Sequence, residues 1–285
     1  MVQVFSRITC ILVLVLLMAC SSAPGPADID YHTCLTDVSE RSLEVMTWNL
    51  EKFPLTERTI PAVTRIIGMA DADVVALQEI TSELEFDTLV SQINGWEGQM
   101  IKRGPLSLGF IYKSEEINFM EVFDIYTDKS YVFPRAPLVC RIQSKNGLQT
   151  YIIDIHLKCC DGTENEERRR MASGLLKEYI DQHWPDDPVM VIGDFNDEIG
   201  RDVSNSVFKE FLIDSLNYSF ADKSIAIGSE DQWSYPSWPS HIDHMLITNE
   251  LFDHVNFILT LRLDQCNHNY FMDISDHRPL LISLD

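Results

Sequence analysis

Short apolar, β-branched runs recur along the chain, and each of them ends in polar residues. The runs are Leu43–Trp48, Asp73–Leu77, Leu108–Tyr112, Leu138–Ile142, Thr150–Ile155, Val189–Ile192, Ile242–Thr248 and Leu280–Leu284. Runs of this length and composition are typical of buried strands. Lys145-Asn146-Gly147, between two of them, has the composition of a hairpin turn, so the sheet is expected to be at least partly antiparallel.

Between the strands, apolar residues recur with the period of a helix. The three stretches are marked by Ile60, Val63, Ile66 and Ile67, by Leu84, Leu89 and Ile93, and by Ala172, Leu175, Leu176 and Tyr179. Because such spacing places the apolar side chains on one helical face, each helix is expected to pack against a sheet. The alternation predicts a mixed sheet with helices outside it, in the α/β or α+β class.

The chain is strongly acidic, since 22 Lys and Arg residues against 44 Asp and Glu residues give a formal net charge of -22. Hydrophobic residues make up 45% and charged residues 23% of the sequence, an ordinary globular balance that excludes the disordered and fibrous classes. A broad basic surface for nucleic acid is not expected at this charge. An anionic substrate therefore has to be met locally, by a few Arg and Lys residues or by a bound metal cation.

Residues 1–19 have the pattern of an export signal. Arg7 precedes the apolar run Ile8–Ala19, which is too short to span a hydrocarbon core of about 30 Å. Leu17-Met18-Ala19-Cys20 resembles the lipobox of bacterial lipoproteins, which implies cleavage before Cys20 and attachment of diacylglycerol to its sulfur. The alternative is an ordinary secretory signal with an incidental Cys. Ser21 after the cysteine implies the outer membrane, on its periplasmic or surface face.

Residues 20–42 are rich in Ser, Pro, Ala and Asp and lack apolar periodicity, so a tether is predicted there, followed by one domain at residues 43–285. The cysteines that remain after the signal and the anchor are Cys34, Cys140, Cys159, Cys160 and Cys266. An odd number in an exported protein leaves at least one unpaired, or pairs one between molecules. One or two disulfides plus a buried thiol are expected, in preference to cysteine chemistry.

The polar residues at the strand ends suit metal-dependent hydrolysis. They are Asn49 and Glu51 in TWNLE, Gln78 and Glu79 in ALQE, His156 in DIH, Asp194, Asn196 and Asp197 in GDFND, and Asp276 and His277 in SDH. Such hydrolysis needs hard oxygen ligands for a cation, a group that orients or deprotonates water, and donors for the charge that develops on phosphorus. One Asp or Asn after one strand commonly makes a turn, but the repetition indicates a shared cleft.

The motifs TWNLE, ALQE, LGFIY, DIHLK, GDFND, HIDHMLIT and SDHRPL resemble, in sequence and order, those of the endonuclease/exonuclease/phosphatase superfamily. The resemblance covers nearly all of residues 43–285 and is most specific at GDFND and SDHRP. It implies a four-layered sandwich of two mixed β-sheets flanked by helices. It also implies phosphoester hydrolysis that depends on a divalent cation, Mg²⁺ or alternatively Mn²⁺.

The resemblance assigns one group of residues to the cation and to the phosphate charge. Asn49 and Glu79 match positions that bind the divalent cation, and Asp276 matches a further metal or metal-water ligand. His156 matches a second histidine on the phosphate side, and Arg135 resembles an arginine of secreted deoxyribonucleases. Both would neutralise phosphoryl oxygens, although a surface ion pair is an equally open reading for Arg135.

A second group is assigned to proton transfer. Asp194 and Asn196 match the residues that deprotonate and orient the attacking water, with Asp194 expected to be the base. His277 matches the histidine beside the scissile phosphate. Asp243 matches the carboxylate that fixes the tautomer of that histidine and supports its positive form.

The sequence also departs from the superfamily pattern near Asp243. His244 stands where many members carry Arg, His241 stands where abasic-site enzymes usually have Arg, and the form of this motif found in inositol phosphatases is absent. The preceding loop contains Trp233, Tyr235 and Trp238. These rings are expected either to stack on bases or a lipid head group at the cleft mouth, or to pin the loop to the domain.

The combined expectation is an exported, lipid-anchored, monomeric, Mg²⁺-dependent phosphodiesterase or nuclease. It would hydrolyse nucleic acid or nucleotides by in-line attack of water on phosphorus. The alternatives are a phospholipid or sphingolipid phosphodiesterase and a phosphomonoesterase of the same superfamily. A non-enzymatic binding module is least favoured, because every core chemical position is filled.

Overall fold

The computed structural model describes residues 29–35, 43–200 and 202–285, and these form two six-stranded mixed β-sheets with helices outside them. The strands are β1 (Leu43–Phe53), β2 (Val74–Ile80), β3 (Trp96–Ile101), β4 (Ser107–Lys113), β5 (Ile117–Asp124), β6 (Leu138–Ser144), β7 (Gln149–His156), β8 (Val189–Asp194), β9 (Tyr218–Phe220), β10 (Asp243–Thr248), β11 (Val255–Thr260) and β12 (Leu280–Leu284). The α-helices are α1 (Thr59–Ala70), α2 (Glu83–Gln92), α3 (Thr163–His183), α4 (Lys209–Ile213), α5 (Lys223–Ala226) and α6 (Tyr270–Asp273).

The strand order is β11-β12-β1-β2-β4-β3 in the first sheet and β5-β6-β7-β8-β10-β9 in the second. Each sheet has a parallel pair at its centre, β1 with β2 and β7 with β8, and its other pairings are antiparallel. Parallel neighbours need a crossover connection, which α1 supplies in the first sheet and α3 in the second. The carboxyl ends of the two parallel pairs carry the polar motifs.

Three apolar clusters hold the layers together. Val45 and Ile192 belong to the cluster between the facing sides of the two sheets. On the outer side of the first sheet, Leu77 packs in one cluster with Val63 of α1. On the outer side of the second sheet, Ile153 packs with α3. The layers are helix, sheet, sheet and helix, so the expected four-layered sandwich of two mixed β-sheets is confirmed.

Every strand predicted from the sequence is present, but β3, β5, β9 and β11 were not predicted. These are the outermost strands of the two sheets. An outermost strand pairs on one side only, and most residues of β3, β5 and β11 are partly exposed. Such strands do not need the continuous apolar run that identifies a central strand. The hairpin predicted at Lys145-Asn146-Gly147 is confirmed as the connection between β6 and β7.

Residues 29–35 pack against the domain, so the prediction of a tether throughout residues 20–42 is wrong for this segment. Tyr31 is fully buried in the cluster that covers the first sheet. Cys34 forms a disulfide with Cys266. Leu35 is buried in the same cluster and Ile29 packs against it, but so few contacts do not produce the apolar periodicity that the prediction required.

The cysteine pattern matches the expectation of a disulfide plus a buried thiol, since Cys140 is free and buried. Cys159 and Cys160 are also free. The predicted signal at residues 1–19, Cys20 and the remainder of the tether lie outside the described residues. Within the described part of the chain, no helix combines the length and the apolarity needed to cross a membrane.

Gly193 fixes the approach of β7 and β8 directly beside Asp194. Its φ is 131°, and a Cβ at this position would lie 2.1 Å from the carbonyl oxygen of Ile155. Because atoms cannot approach so closely, only glycine permits this geometry. The next residues along the two strands, His156 and Asp194, are direct partners in the parallel register.

We expect Gly193→Ala to lower the free energy of unfolding by more than about 2 kcal/mol, because the new methyl group forces β7 and β8 apart. Urea denaturation would measure the change. Gly68→Ala in α1 is a matched control, since a Cβ there meets nothing within 4 Å. Helix propensity predicts a gain of up to about 1 kcal/mol for this control. A Gly193→Ala variant as stable as the wild type would contradict the interpretation that a Cβ at this position forces β7 and β8 apart.

Candidate active site

A cavity of about 350 Å³ lies at the carboxyl ends of the two parallel strand pairs, where both sheets contribute side chains. The predicted residues that line it are Glu79, Arg135, His156, Asp194, Asn196, Asp276 and His277. The remaining two, Asn49 and Asp243, are buried and hydrogen-bond to residues of the lining. The structure therefore brings all nine predicted residues to one place.

Asp194 accepts two hydrogen bonds and has a histidine ring close to its carboxylate. Asn49 Nδ2, from the first sheet, donates to Asp194 Oδ2 at 2.9 Å. The backbone N–H of Asn196 donates to Asp194 Oδ1, also at 2.9 Å. His156 Nε2 lies 3.4 Å from Asp194 Oδ2. The carboxylate is buried, and its position is set by both sheets.

His277 forms a second link between the two sheets, in addition to the hydrogen bond between Asn49 and Asp194. Its Nδ1 lies 2.8 Å from Asp243 Oδ2, so the carboxylate accepts a hydrogen bond from the ring and leaves Nε2 facing the cavity. Nε2 lies 3.9 Å from Asp194 Oδ2. The backbone of His277 is held as well, because its N–H donates to Ser275 Oγ at 2.9 Å and Ser275 Oγ donates to the carbonyl of Asn49 at 2.6 Å.

The pKa values of two buried groups, Asp194 and His277, are shifted from their usual values. Burial raises the pKa of Asp194 to about 7, with the charge of His277 acting in the opposite direction. For His277, burial alone would lower the pKa, but Asp243 at hydrogen-bond distance and the charges of Asp194 and Asp276 raise it to about 10. Between these values, Asp194 is a carboxylate and His277 is an imidazolium.

Carboxylates crowd the side of the cavity that faces β1 and β2. Glu51 Oε2 accepts the backbone N–H of Asp276 at 3.2 Å, and Glu79 Oε2 accepts the backbone N–H of Lys52 at 2.8 Å. Burial, followed by the charges of Asp276 and Glu79, raises the pKa of Glu51. Glu51, Lys52 and Glu79 all have positive φ, a strained conformation that concentrates at functional sites.

This donor set fits a hard divalent cation. Glu51, Glu79 and Asp276 offer carboxylate oxygens, which are the ligands Mg²⁺ prefers, and their mutual repulsion favours a cation between them. Asn49 Oδ1 accepts the backbone N–H of Glu51 at 3.0 Å and retains a second lone pair. Glu51 was noted in the sequence but was not predicted as a ligand, because its backbone geometry at positive φ is invisible in the motif.

A different trio, Asp194, Asp243 and His277, has ligand atoms within 4.8 Å of one another. We interpret it as a hydrogen-bonded arrangement, since His277 Nδ1 and Asp243 Oδ2 already bind each other at 2.8 Å. Asp243 Oδ1 is buried without a hydrogen-bond partner. Its unshared charge explains part of the strong attraction that keeps His277 protonated.

His156 and Arg135 supply the cationic and polar groups opposite the carboxylates. His156 Nε2 lies 3.8 Å from Glu79 Oε1, and burial, then Arg135 and His277, lower its pKa well below the usual value, so the ring is neutral. Burial lowers the pKa of Arg135, while Glu79 and Asp194 act in the opposite direction. Arg135 lines the cavity, and its Nη1 donates to the carbonyl of Leu157 at 3.4 Å, a position that supports the cavity-facing alternative.

The aromatic residues of the loop before Asp243 fall into the two predicted groups, one that pins the loop to the domain and one that lies at the cavity. Trp233 Nε1 donates to the carbonyl of Ile225 at 3.2 Å, so this ring pins the loop. Tyr235 and Trp238 line the cavity instead, and the Tyr235 ring lies 4.8 Å from that of His277. Trp238 is 75% exposed, which leaves a large aromatic face at the cavity mouth.

A buried network behind Asp243 was missed by sequence reasoning. Asp222 Oδ2 lies 2.6 Å from His244 Nδ1 and 3.0 Å from His241 Nε2, and Asp222 Oδ1 accepts the backbone N–H of Met245 at 2.8 Å. The other ring nitrogens are also engaged, by the carbonyl of Asp197 and by the N–H of Ser234. The group is a satisfied scaffold under the catalytic strand β10. The two histidines were the only sequence signal for it.

A model of the Endonuclease/Exonuclease/phosphatase family matches residues 46–277. The chain belongs to this family. Its members are divalent-metal-dependent hydrolases of phosphoester bonds, in agreement with the donor set described above. Human deoxyribonuclease-1-like 1 is 22% identical over an alignment of 177 positions that covers 55% of this chain and 56% of that protein. The chain thus spans about half the length of the curated relative that it matches.

Solved structures show the same fold. A humanized D. rerio TDP2 superposes with a TM-score of 0.67 at 13% identity, over 86% of this chain and 99% of that chain. The human Nocturnin catalytic domain gives 0.64 at 20% identity, over 86% and 94%. A mannosyl-6-phosphatase of Bacteroides thetaiotaomicron gives 0.62 at 15% identity, over 86% and 100%.

Replacing Asp243 by Asn removes the charge that keeps His277 protonated. We expect the pKa of His277 to fall from about 10 toward or below the ordinary value of about 6.5, which an NMR pH titration of the ring would measure. Asp87→Asn, at an exposed position of α2, is the control and is expected to leave the titration unchanged. An unaltered His277 pKa in Asp243→Asn would refute the pairing.

Proposed function

We propose that this phosphohydrolase cleaves phosphodiester bonds, with nucleic acid or nucleotides as substrates, by in-line attack of water on phosphorus. The observation that carries the proposal is the pairing of a buried carboxylate, Asp194, with a buried imidazolium, His277, across the same cavity. The two groups are 3.9 Å apart at their nearest atoms. One is suited to accept a proton and the other to donate a hydrogen bond or a proton.

Asp194 is the general base in this mechanism. Its pKa of about 7 places it near the optimum for proton removal from water at neutral pH. Asn49 and the backbone of Asn196 hold its two oxygens, so the basic lone pair has a fixed direction. Asn196, whose side chain lines the cavity, positions the water that Asp194 deprotonates.

His277 stabilises the negative charge that develops on the phosphoryl oxygens. It is held in one tautomer by Asp243 and presents Nε2–H to the cavity. Arg135 adds a guanidinium, and neutral His156 adds a ring N–H. Donors fixed before the reaction stabilise the transition state without reorganisation.

The family's divalent cation, Mg²⁺ in our proposal, would be held by Asn49, Glu79 and Asp276, with Glu51 beside them. When bound, it neutralises phosphate charge and polarises the phosphorus centre. Asp194 and His277 perform the proton transfers. Asp194 ends β8 of the second sheet, whereas His277, like Asp276, precedes β12 of the first sheet, so both sheets contribute to proton transfer.

Nucleic acid or nucleotide is supported as the substrate class by two aromatic rings that line the cavity, the exposed Trp238 and the partly exposed Tyr235. Tyr235 and Trp238 offer faces on which a base can stack. Among the relatives, one is named a deoxyribonuclease-1-like protein, and D. rerio TDP2 has a structure with a single-stranded DNA product. A phospholipid diester or a phosphomonoester remains the alternative outcome of a substrate test.

A panel of purified plasmid DNA, RNA, nucleotides, sphingomyelin vesicles and sugar phosphates, each with Mg²⁺ and with EDTA, tests the proposal. We expect DNA, RNA or nucleotide turnover that EDTA abolishes. Asp194→Asn and His277→Ala should each reduce kcat by about 10²- to 10⁴-fold, the range for a general acid or base. Asp87→Asn, exposed on α2, serves as the control. If only sphingomyelin vesicles or only sugar phosphates are hydrolysed, the proposed substrate class is wrong and the hydrolysed class takes its place.

We further propose that the protein is exported, anchored to the outer membrane by lipid on Cys20, and monomeric. The apolar run Ile8–Ala19 and the following Cys20 support the anchor. Cys20→Ala should move the protein from the membrane to the soluble fraction after cell lysis, as followed by immunoblot. Retention of this variant in the membrane fraction would contradict lipid attachment. If the protein that lacks its lipid anchor elutes as a dimer, the proposal that it is monomeric is contradicted.

A further inference from the structure

Two adjacent thiols lie at the rim of the active-site cavity. Cys159 and Cys160 both line it, and their Sγ atoms are 2.8 Å apart. Successive side chains of an extended strand point to opposite sides. Cys160 instead has a left-handed backbone with φ 78°, and both sulfurs lie together.

The two thiols differ in acidity. Partial burial opposes ionisation of Cys159, but the hydrogen bond from Cys160 and the charges of Lys158 and Arg135 lower its pKa. The hydrogen bond to Cys159, followed by burial, raises the pKa of Cys160. Cys159 is therefore the more acidic thiol of the pair and the one that ionises first to the nucleophilic thiolate, and Cys160 is the thiol placed to donate to it.

The segment that carries the thiols is fixed to the domain. Arg169 is buried, and its Nη1 donates to the carbonyl of Lys158 at 2.8 Å and to that of Cys160 at 3.1 Å. Arg169 Nε also donates to Asp197 Oδ2 at 2.8 Å. Both carbonyls flanking Cys159 are thus tied to α3, and the thiols do not depend on a mobile loop for their proximity.

We propose that Cys159 and Cys160 form a modification site, a dithiol that closes reversibly to a disulfide between adjacent residues and thereby tunes anion binding in the active site. The oxidant is a low-molecular-weight disulfide. A compartment that permits the Cys34–Cys266 disulfide supplies such oxidants.

The reaction balances in two exchanges. The Cys159 thiolate attacks one sulfur of the oxidant, forms a mixed disulfide and releases one thiolate. Cys160 then loses its proton and attacks Cys159 Sγ, which releases the second thiolate. The two cysteines lose two electrons and two protons, and the oxidant becomes two thiols.

Such a disulfide is suited to reversal. Adjacent Cα atoms are about 3.8 Å apart across a trans peptide, whereas disulfides usually join Cα atoms about 4.4 to 6.8 Å apart. The bond is therefore strained, and strained disulfides are the more easily reduced ones. Reduction by a small thiol returns the pair to the open form without affecting a relaxed structural disulfide to the same extent.

Closure changes the charge beside Arg135. In the open form, the Cys159 thiolate attracts the guanidinium of Arg135. In the closed form this negative charge is absent, so Arg135 is available to the phosphate. We expect KM for an anionic substrate to fall by about two- to fivefold on oxidation, the range for a partly exposed ion pair, with little change in kcat.

Mass spectrometry of the full-length protein tests closure independently of catalysis. The protein is treated with glutathione disulfide or dithiothreitol, alkylated and digested with trypsin, and the peptide 159–168 is examined. After oxidation, we expect this peptide to lack alkyl groups and to be two hydrogens lighter than the dithiol. After reduction, it should carry two alkyl groups. Cys160→Ser should trap glutathione on Cys159, whereas Cys159→Ser should capture it more slowly.

The kinetic test rests on the proposed function, but the mass test does not. Under reducing conditions, Cys159→Ser removes the thiolate and should show the low KM of the oxidised wild type. Cys160→Ser retains the thiolate and should keep the high KM. The double variant retains Cys34, Cys266 and Cys140, so it reports any effect of the same reagents on those cysteines.

Three outcomes would overturn the proposal. One is that both thiols stay alkylatable after an excess of glutathione disulfide. Another is that they are protected by Zn²⁺ alone and not by the oxidant, which would indicate a site for a thiophilic cation. The third is a KM that is identical in the open and closed forms. If closure occurs and no substrate is turned over, the proposed function has failed and the modification site stands.

Discussion

Two hydrogen bonds that cross from one sheet to the other determine the geometry of the active site. Asn49 binds Asp194, and Asp243 binds His277. All four side chains are buried, and polar contacts in such surroundings are strong when satisfied and costly when broken. The relative position of the two sheets is therefore coupled to the protonation states of the site, because a displacement of one sheet would separate both pairs together.

The acidic composition of the chain acts through this geometry. Burial, and after it the neighbouring carboxylates, raises the pKa of Glu51 and of Asp194, and the carboxylates around His277 raise its pKa against the effect of burial. A negatively charged substrate enters such a site only where charge is compensated locally. Arg135, His277 and the carboxylates suited to a divalent cation provide that compensation, which is why a protein with a net charge of -22 can serve as a phosphohydrolase.

The central strands and the motif residues could be predicted from sequence because both leave strong local signals. Buried strands such as β8 need continuous apolar runs, and Asp194 follows one of them directly. The outermost strands, the docking of Tyr31 and the role of Asp222 could not be predicted. Each depends on a partner far away in the chain, such as His244 for Asp222. The positive φ of Glu51 and Glu79 is likewise set by tertiary contacts and not by their own residue types.

The strand order gives the two sheets the same pattern: a central parallel pair, with two further strands linked antiparallel on each side of it. In the parallel register, Asn49 lies opposite Gln78 in the first sheet, and His156 lies opposite Asp194 in the second. The halves are thus topological equivalents that differ in the side chains at this position, two amides in one and an imidazole with a carboxylate in the other. A near-symmetric scaffold thereby gains an asymmetric reaction centre through side-chain identity rather than through a difference in backbone architecture.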